Sequence, residues 1–435
     1  MEYVARRSPR PAAGSLRVPG DKSVSHRAVL FAAMAEGTSR LTGVLDSADV
    51  RSTIEAVRAL GACVGVERRD ESGLSLRIEG WGDHGPLDPG SAIDCGNSGT
   101  TARLLMGILA GWPVNAVLTG DESLSRRPMS RVTCPLEAMG AAFQTRDGRL
   151  PVAIRGGELT GIEYDSPVAS AQVKTAILLA GLRANGRTLV REPAPSRDHT
   201  ERLLSAFGVE VGRDTAAHAA WVDGPADLLA ADAAVPGDPS SAAFVLGAAL
   251  VTQGAVTVEG VSVNPTRVGF LRVFERMGAD VQVREVAGAG GEPVGDVRVA
   301  VTRPLNATRV TAEEVPSLVD EVPLLAIVAT QAEGTTRFEG VGELRVKESD
   351  RLEAIRAALT ALGATVRAGD DWLEVEGATL LQGDVRLNSL GDHRLAMAYA
   401  VAALAATEPI WIERYEAIDV SYPRFTEDLD RLLGR

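Results

Sequence analysis

The sequence is poor in lysine. Of its 45 basic residues only Lys22, Lys174 and Lys347 are not arginine. A genome that favours arginine replaces lysine wherever a planar guanidinium serves as well, so the three that remain mark positions suited to a compact ammonium. Cysteine is scarce as well. Cys63, Cys95 and Cys134 form no CxxC pair, which argues against a disulfide framework or a zinc cluster and leaves small buried hydrophobes. Even the long apolar run at residues 396–406, preceded by Leu395, falls well below the ~20 residues of a membrane span. The N-terminal stretch MEYVARRSPRPAAG has no hydrophobic signal core, so a soluble, cytoplasmic chain is expected. Basic excess is missing too: the formal net charge is −13, the wrong sign for a nucleic-acid surface, and an anionic ligand therefore needs a local cationic cluster. No GxxxxGKS/T loop, HExxH or HxxxH occurs, so neither a Walker-type site nor a bound metal is expected.

What is present is repetition. At 435 residues with 45% hydrophobic the chain can build two or three domains. Leu60-Gly61-Ala62 recurs as Met139-Gly140-Ala141, Phe207-Gly208-Val209, Met277-Gly278-Ala279, Leu362-Gly363-Ala364 and Leu433-Gly434, roughly every 75 residues, a period too long for common solenoids. Each repeat opens on a small or polar stretch (DKSVSHR, GNSGTTAR, ASAQVK, GDPSSAAF, LVDEVP, LGDHRLAM) and runs into an Ala/Leu/Val-rich helix. Glycine stops that helix in several repeats, as at Gly37, Gly254 and Gly334. A strand, a second amphipathic helix such as residues 49–60, the repeat glycine and a further strand follow. Val-Pro-Gly-Asp occurs twice, at 18–21 and 235–238, ahead of the first and fourth repeats. Proline and glycine punctuate the chain there, and we read the two segments as crossings between lobes. Residues 20–235 then form an upper lobe, and residues 1–19 with 236–435 a discontinuous lower one. First helices aimed N-terminus first into the cleft between lobes gather positive potential, with which an acidic protein can bind anions.

The candidate chemistry sits at those helix starts. In PGDKSVSHR, Asp21 or Ser23 can cap the first helix while Lys22 stands beside its N-terminus and Arg27 one turn on. GNSGTTAR, residues 96–103, is a glycine-rich approach to the second helix. SRRPM, residues 125–129, places Arg126 and Arg127 in an extended segment before proline, one of them a fork for carboxylate or phosphate. SAQVK opens the third helix, and SRDHTER, residues 196–202, the next, with Ser196, Asp198 and Thr200 readable as caps. RVKESDRL, residues 345–352, reads as a helical charge run in which Lys347 and Glu348 stand four and three residues before Arg351. Asp320 and Glu321 abut the apolar run VPLLAIV, where burial raises a pKa or demands a partner. GDHRLAM adds Asp392, His393 and Arg394.

Together, and in this order over the full chain, these motifs resemble the 5-enolpyruvylshikimate-3-phosphate synthase family, in its bacterial variety with ASAQVK and VPGDPSS signatures. The resemblance implies an α/β fold of two lobes, each three βαβαββ units, an inside-out α/β barrel whose lobes close over the substrates. It implies transfer of the enolpyruvyl group of phosphoenolpyruvate to the 5-hydroxyl of shikimate 3-phosphate with release of phosphate, a step toward chorismate and aromatic amino acids. No metal or organic cofactor, no membrane and no nucleic acid are involved, and a monomer is expected. By resemblance Lys22 touches both substrates, Ser23 and Arg27 hold the shikimate side, and Ser170, Ala171, Gln172 and Arg197 cradle the 3-phosphate. Asp320 and Lys347 bind the reacting hydroxyl region. Gly99, Arg127, Arg351 and Arg394, with Lys22 and Gln172, form the phosphoenolpyruvate pocket. Asp320 is assigned as base toward the hydroxyl, Glu348 as acid toward the methylene carbon, and Lys22 as assisting group. Two substrates with a phosphate and a carboxylate each bring roughly −5 to −6. The seven cations Lys22, Arg27, Arg127, Arg197, Lys347, Arg351 and Arg394, less the two acids, nearly neutralise that.

Three departures from the pattern stand out. Many relatives have a lysine near the C-terminus where this chain reads Val420-Ser421-Tyr422-Pro423. Ala171 replaces a second serine, which implies a backbone contact. Gly99 stands where herbicide-tolerant relatives have alanine, so glyphosate is expected to enter. The nearest rival is the sister enzyme acting on a UDP-amino sugar, whose reactive cysteine is replaced here by Glu122 in GDESLSRRP. A non-catalytic, RNA-end-binding protein on the same repeats is opposed by the −13 charge.

Overall fold

Each repeat glycine sits where a side chain would be strained. Gly61, Gly140, Gly208, Gly278, Gly363 and Gly434 have φ of 101°, 118°, 83°, 103°, 84° and 67°, the left-handed conformation that closes a helix and turns the chain toward the next strand. The helices closed this way are Ala48–Ala59, Ser130–Met139, His199–Ala206, Gly269–Met277, Arg351–Ala361 and Phe425–Leu433. They are amphipathic: Gly269–Met277 buries Phe270, Val273, Phe274 and Met277 at helical spacing.

The first helix of each repeat behaves differently. Lys22–Met34, Gly99–Ala110, Ala171–Gly181, Pro239–Thr252, Val322–Ala329 and His393–Ala403 are buried over nearly their whole lengths. A helix apolar on all sides belongs in a core, and these inner helices pack on one another in two groups. The computed structural model describes every residue except 287 and 289. Its contacts divide into two units, one of Gly20–Pro236 with Gly288–Glu292, the other of Met1–Pro19, the stretch from Gly237 through the strand Asp280–Val286, and Pro293–Arg435. Each has its own hydrophobic core built on three inner helices. Both breaks fall inside the Val-Pro-Gly-Asp segments. The grouping of Gly288–Glu292 with the first unit has no counterpart in the sequence pattern.

Each core is wrapped by three sheets of recurring topology. In the second repeat Ile93–Asp94 runs parallel to Asn115–Thr119, which pairs antiparallel with Arg149–Arg155, itself antiparallel to Ala142–Arg146. Helices inside and sheets outside give the inside-out α/β arrangement. Chain ends complete the pattern: Ala13–Leu16 joins Ala255–Ser262, and Glu2–Ala5 joins Ile410–Glu413.

Three local expectations are corrected. The first helices are not stopped by Gly37, Gly254 or Gly334 directly. Pro239–Thr252, for example, ends at Gln253 with φ 57°, and Gly254 is required because a Cβ there would lie 2.0 Å from the Ala12 carbonyl oxygen. RVKESDRL is not one helix: Arg345 and Val346 end the short 3-10 helix Gly342–Val346, Lys347 is extended, and the α-helix starts at Arg351 after its cap Asp350. Only Cys95 is buried, whereas Cys63 and Cys134 are exposed because they lie on a strand's outer side and on an outer helix.

Candidate active-site residues

In the unit Gly20–Pro236 the inner helices begin at polar caps: Asp21 accepts from Val24 N at 2.8 Å, Ser98 from Thr101 N at 3.1 Å and Ser170 from Val173 N at 3.5 Å. Around these N-termini stand the cations Lys22, Arg27, Arg103 and Arg127. Arg27 is 3% exposed and donates to Thr200 Oγ1 (2.7 Å), Thr175 Oγ1 (2.9 Å) and the Ser23 carbonyl (3.0 Å). Burial lowers its pKa to about 10, still far above neutrality. Arg103 donates to Gln172 Oε1 at 2.6 Å and to the Pro128 carbonyl, and Gln172 Nε2 donates to Thr100 Oγ1 at 3.0 Å. Arg127 donates to Asn97 Oδ1 at 3.0 Å. Lys22 pairs with Asp49 at 3.2 Å. A Cβ at Gly99 would lie 2.9 Å from Arg103 Nη1 and 3.4 Å from Arg127 Nη1, so this glycine gives room to two guanidinium groups.

The third inner helix carries a further cluster. Glu192 accepts from Ser170 N and from Ser196 Oγ, each at 2.7 Å, which sets Arg197, half-buried next to Ser196, near the helix start. His26 is fully buried, with Nδ1 2.6 Å from Thr53 Oγ1 and no partner for Nε2 among the described residues. Burial holds its pKa down at about 3.

In the other unit the arginines are held by acids. Arg351 is 1% exposed, and its guanidinium meets Asp392 at 2.7 and 3.2 Å, Asp320 at 3.0 Å and Glu348 at 2.6 Å. Burial alone would lower its pKa, but Asp392, Glu348 and Asp320 outweigh that and raise it. Burial likewise pushes Asp392 up, and Arg351 brings it below the ordinary carboxylate value. Arg394 lies 3.5 Å from Asp320 and 3.6 Å from Glu321. Glu321, at the start of the fifth inner helix, also accepts from Ser240 Oγ in the first turn of the fourth, so one carboxylate joins three helix N-termini. Burial raises its pKa, against the opposing field of Arg394. Arg267 braces the fourth by bonding Asp238 and Ser240 at 3.2 and 3.1 Å.

The first unit thus gathers Lys22, Ser23, Arg27, Gly99, Arg127, Ser170, Ala171, Gln172 and Arg197 at its inner-helix starts. The second gathers Asp320, Glu348, Arg351 and Arg394, with half-buried Lys347 beside them but outside their ion pairs. Asp49, Arg103, Thr175, Glu192 and Arg267 escaped the motif reading, and Thr200, read there as a cap, accepts from Arg27. Arg103 closes GNSGTTAR and was the one with a visible signal; the others are partners brought from distant segments.

Comparison with known proteins gives the family. A family profile described as EPSP synthase (3-phosphoshikimate 1-carboxyvinyltransferase) matches residues 7–429. The chain is 49% identical over 422 residues to a 3-phosphoshikimate 1-carboxyvinyltransferase of Halorhodospira halophila, covering 96% of this chain and 93% of that one. To the one from Bacillus subtilis it is 45% identical, with 96% and 97% covered. A solved EPSP synthase from Acinetobacter baumannii superimposes with a TM-score of 0.88 at 42% identity, over 99% of this chain and 97% of that one. The enolpyruvyl transferase NikO from Streptomyces tendae shares the fold, with a TM-score of 0.76 at 21% identity over 99% and 97%.

Proposed function

The chain belongs to the EPSP synthase family, and from that premise we propose how its residues divide the reaction. It is a transferase that moves the enolpyruvyl group of phosphoenolpyruvate to the 5-hydroxyl of shikimate 3-phosphate and releases phosphate. The observation that carries the division is the contrast between two buried arginines: Arg27 is bonded to two threonine hydroxyls and a carbonyl, Arg351 to three carboxylates. A cation bonded to hydroxyls and a carbonyl keeps its field for a ligand, which supports the reading in which Ser170, Ala171, Gln172 and Arg197, near Arg27, take the 3-phosphate. Lys22, Ser23 and Arg27 take the shikimate side, and Lys22, Gly99, Arg127 and Gln172 take phosphoenolpyruvate. Arg103, already bonded to Gln172, joins that last group. In the other set Arg351 and Arg394 serve phosphoenolpyruvate while Lys347 and Asp320 serve the reacting hydroxyl.

In the addition step Asp320 takes the hydroxyl proton, the oxygen bonds to the enol carbon, and Glu348 delivers a proton to the methylene carbon. Elimination removes a proton from that carbon, re-forms the double bond and expels phosphate, with Lys22 stabilising the leaving group. Asp320, facing Arg351 and Arg394, is held ready as an acceptor. Glu348 has the more open side chain, at 30% exposure, and must leave Arg351 to act as a donor. The enzyme works as a cytoplasmic monomer that glyphosate inhibits at the phosphoenolpyruvate residues. The test is phosphate release. Release from phosphoenolpyruvate only when shikimate 3-phosphate is added is expected, and release with a UDP-amino sugar instead overturns the reading. Asp320→Asn and Glu348→Gln should fold normally and lose at least about 100-fold in turnover; near wild-type turnover in either removes its assigned role.

A further inference from the structure

Lys174 is the lysine that the reaction leaves without a task. Its side chain is buried, and Nζ lies 3.0 Å from Glu192 Oε2 and 2.8 Å from Glu201 Oε1. The two carboxylates also hold its pKa up against burial. Glu192 is itself a clamp: Oε1 accepts from Ser170 N and Oε2 from Ser196 Oγ. Ser170 caps the third inner helix and Ser196 immediately precedes Arg197, so one carboxylate ties together both segments assigned to the 3-phosphate. Glu201 stands on the helix His199–Ala206, and its pairing with Lys174 lies one residue from the Thr175–Thr200 hydroxyl bond (2.6 Å) that also serves Arg27.

We propose that Lys174 and Glu192 are positioning residues for the phosphate monoester of the substrate. Glu192 sets the distance between the Ser170 helix start and Arg197, and Lys174 offsets its charge so that a dianion can bind beside it. A carboxylate near a dianion site repels the ligand unless a cation compensates. A compact ammonium donates in three directions and fits between two carboxylates from different segments, where a planar fork would need more space. The inference rests on the reading that Ser170 and Arg197 hold the 3-phosphate.

The test measures binding of shikimate 3-phosphate and of shikimate, which lacks the phosphate, by calorimetry, together with kcat and both KM values. Glu192→Gln keeps the size and is expected to weaken shikimate 3-phosphate about tenfold while leaving shikimate, kcat and the KM for phosphoenolpyruvate within about twofold. Lys174→Met should do the same or more, with lower thermal stability, and Lys174→Arg should restore part of the loss. Equal weakening of both ligands in Glu192→Gln overturns the proposal, because it marks a general structural role. Arg197→Met separates the two readings. If it weakens shikimate 3-phosphate selectively and Glu192→Gln does not, the positioning role alone falls; if neither variant changes the preference, the phosphate assignment falls and takes the inference with it.

Discussion

Two units assembled from one repeat use their inner-helix starts in opposite ways. In Gly20–Pro236 the buried Arg27 is bonded to two threonines and a carbonyl, and Arg103 to an amide and a carbonyl. In the other unit Arg351 faces three carboxylates and Arg394 two. Neutral acceptors fix a guanidinium without cancelling its charge, whereas carboxylates cancel it and make each member depend on the rest. The difference teaches that a shared backbone plan fixes where the polar groups gather, and the partner residues decide whether a buried guanidinium keeps its field or is tied into a network of acids.

The sharpest way to break this comparison is to remove one arginine from each side. Arg351→Met leaves Asp392 buried without this cation and leaves Asp320 only the more distant Arg394, and an uncompensated buried charge costs about 3–5 kcal/mol. Arg27→Met leaves Thr175 and Thr200 still bonded to each other at 2.6 Å, so the expected cost is only about 1–3 kcal/mol, although shikimate 3-phosphate binding should fall steeply. Denaturant unfolding, followed by two probes because two units need not unfold together, measures both. Equal losses would end the distinction drawn here.

Acid provides a second, smaller test. His26 has a pKa near 6.5 when unfolded and about 3 in the folded chain because burial disfavours its charged form. Between those values the unfolded state binds more protons, so stability of the Gly20–Pro236 unit falls as pH drops, by at most about 1.4 kcal/mol per pH unit. Asp392 is shifted downward too, but from a lower starting value: its contribution is complete above the unfolded value of 3.8 and is lost only as pH falls through the lower folded pKa. The acid-bonded unit should therefore hold to lower pH. His26→Asn is expected to flatten the dependence between pH 6.5 and 4, read as denaturant midpoints at several pH values. A variant as steep as the parent would assign the acid sensitivity to another group.

Much of this was legible beforehand because it is local. Six repeat glycines need left-handed φ, and Asp21, Ser98, Ser170 and Asp238 cap helices that their own motifs announce. Pairings across the chain were not legible. Lys22 finds Asp49 and Lys174 finds Glu192 only once an inner helix has packed against the rest of its own repeat, Arg103 finds Gln172 only once two inner helices have packed, and no spacing rule reaches over such separations. RVKESDRL misled for a related reason. Its charges suit a helix by spacing, yet Arg351 is buried among acids from two other segments, and the loop before it bends so that Glu348 can join them.

The mildest change sharpens the same contrast from the other direction. Gly99 has no left-handed φ, so alanine strains no backbone there, and its methyl would press on the far ends of Arg103 and Arg127, at 2.9 and 3.4 Å, and touch Leu124 at an ordinary 3.6 Å. Those are the far ends of long side chains, with Gln172, Asn97 and a carbonyl among their partners, and long side chains can shift by a few tenths of an ångström. Gly99→Ala should therefore keep or slightly raise stability, since alanine favours helix by up to about 1 kcal/mol. The displaced guanidiniums should raise the KM for phosphoenolpyruvate a few-fold, on the order of 1 kcal/mol, leave the KM for shikimate 3-phosphate unchanged and weaken glyphosate more than phosphoenolpyruvate. Steady-state kinetics with both substrates and the inhibitor decide it: unchanged inhibition means that the two arginines do not yield to the methyl or do not touch the inhibitor, and the adaptable half of the comparison loses its clearest example.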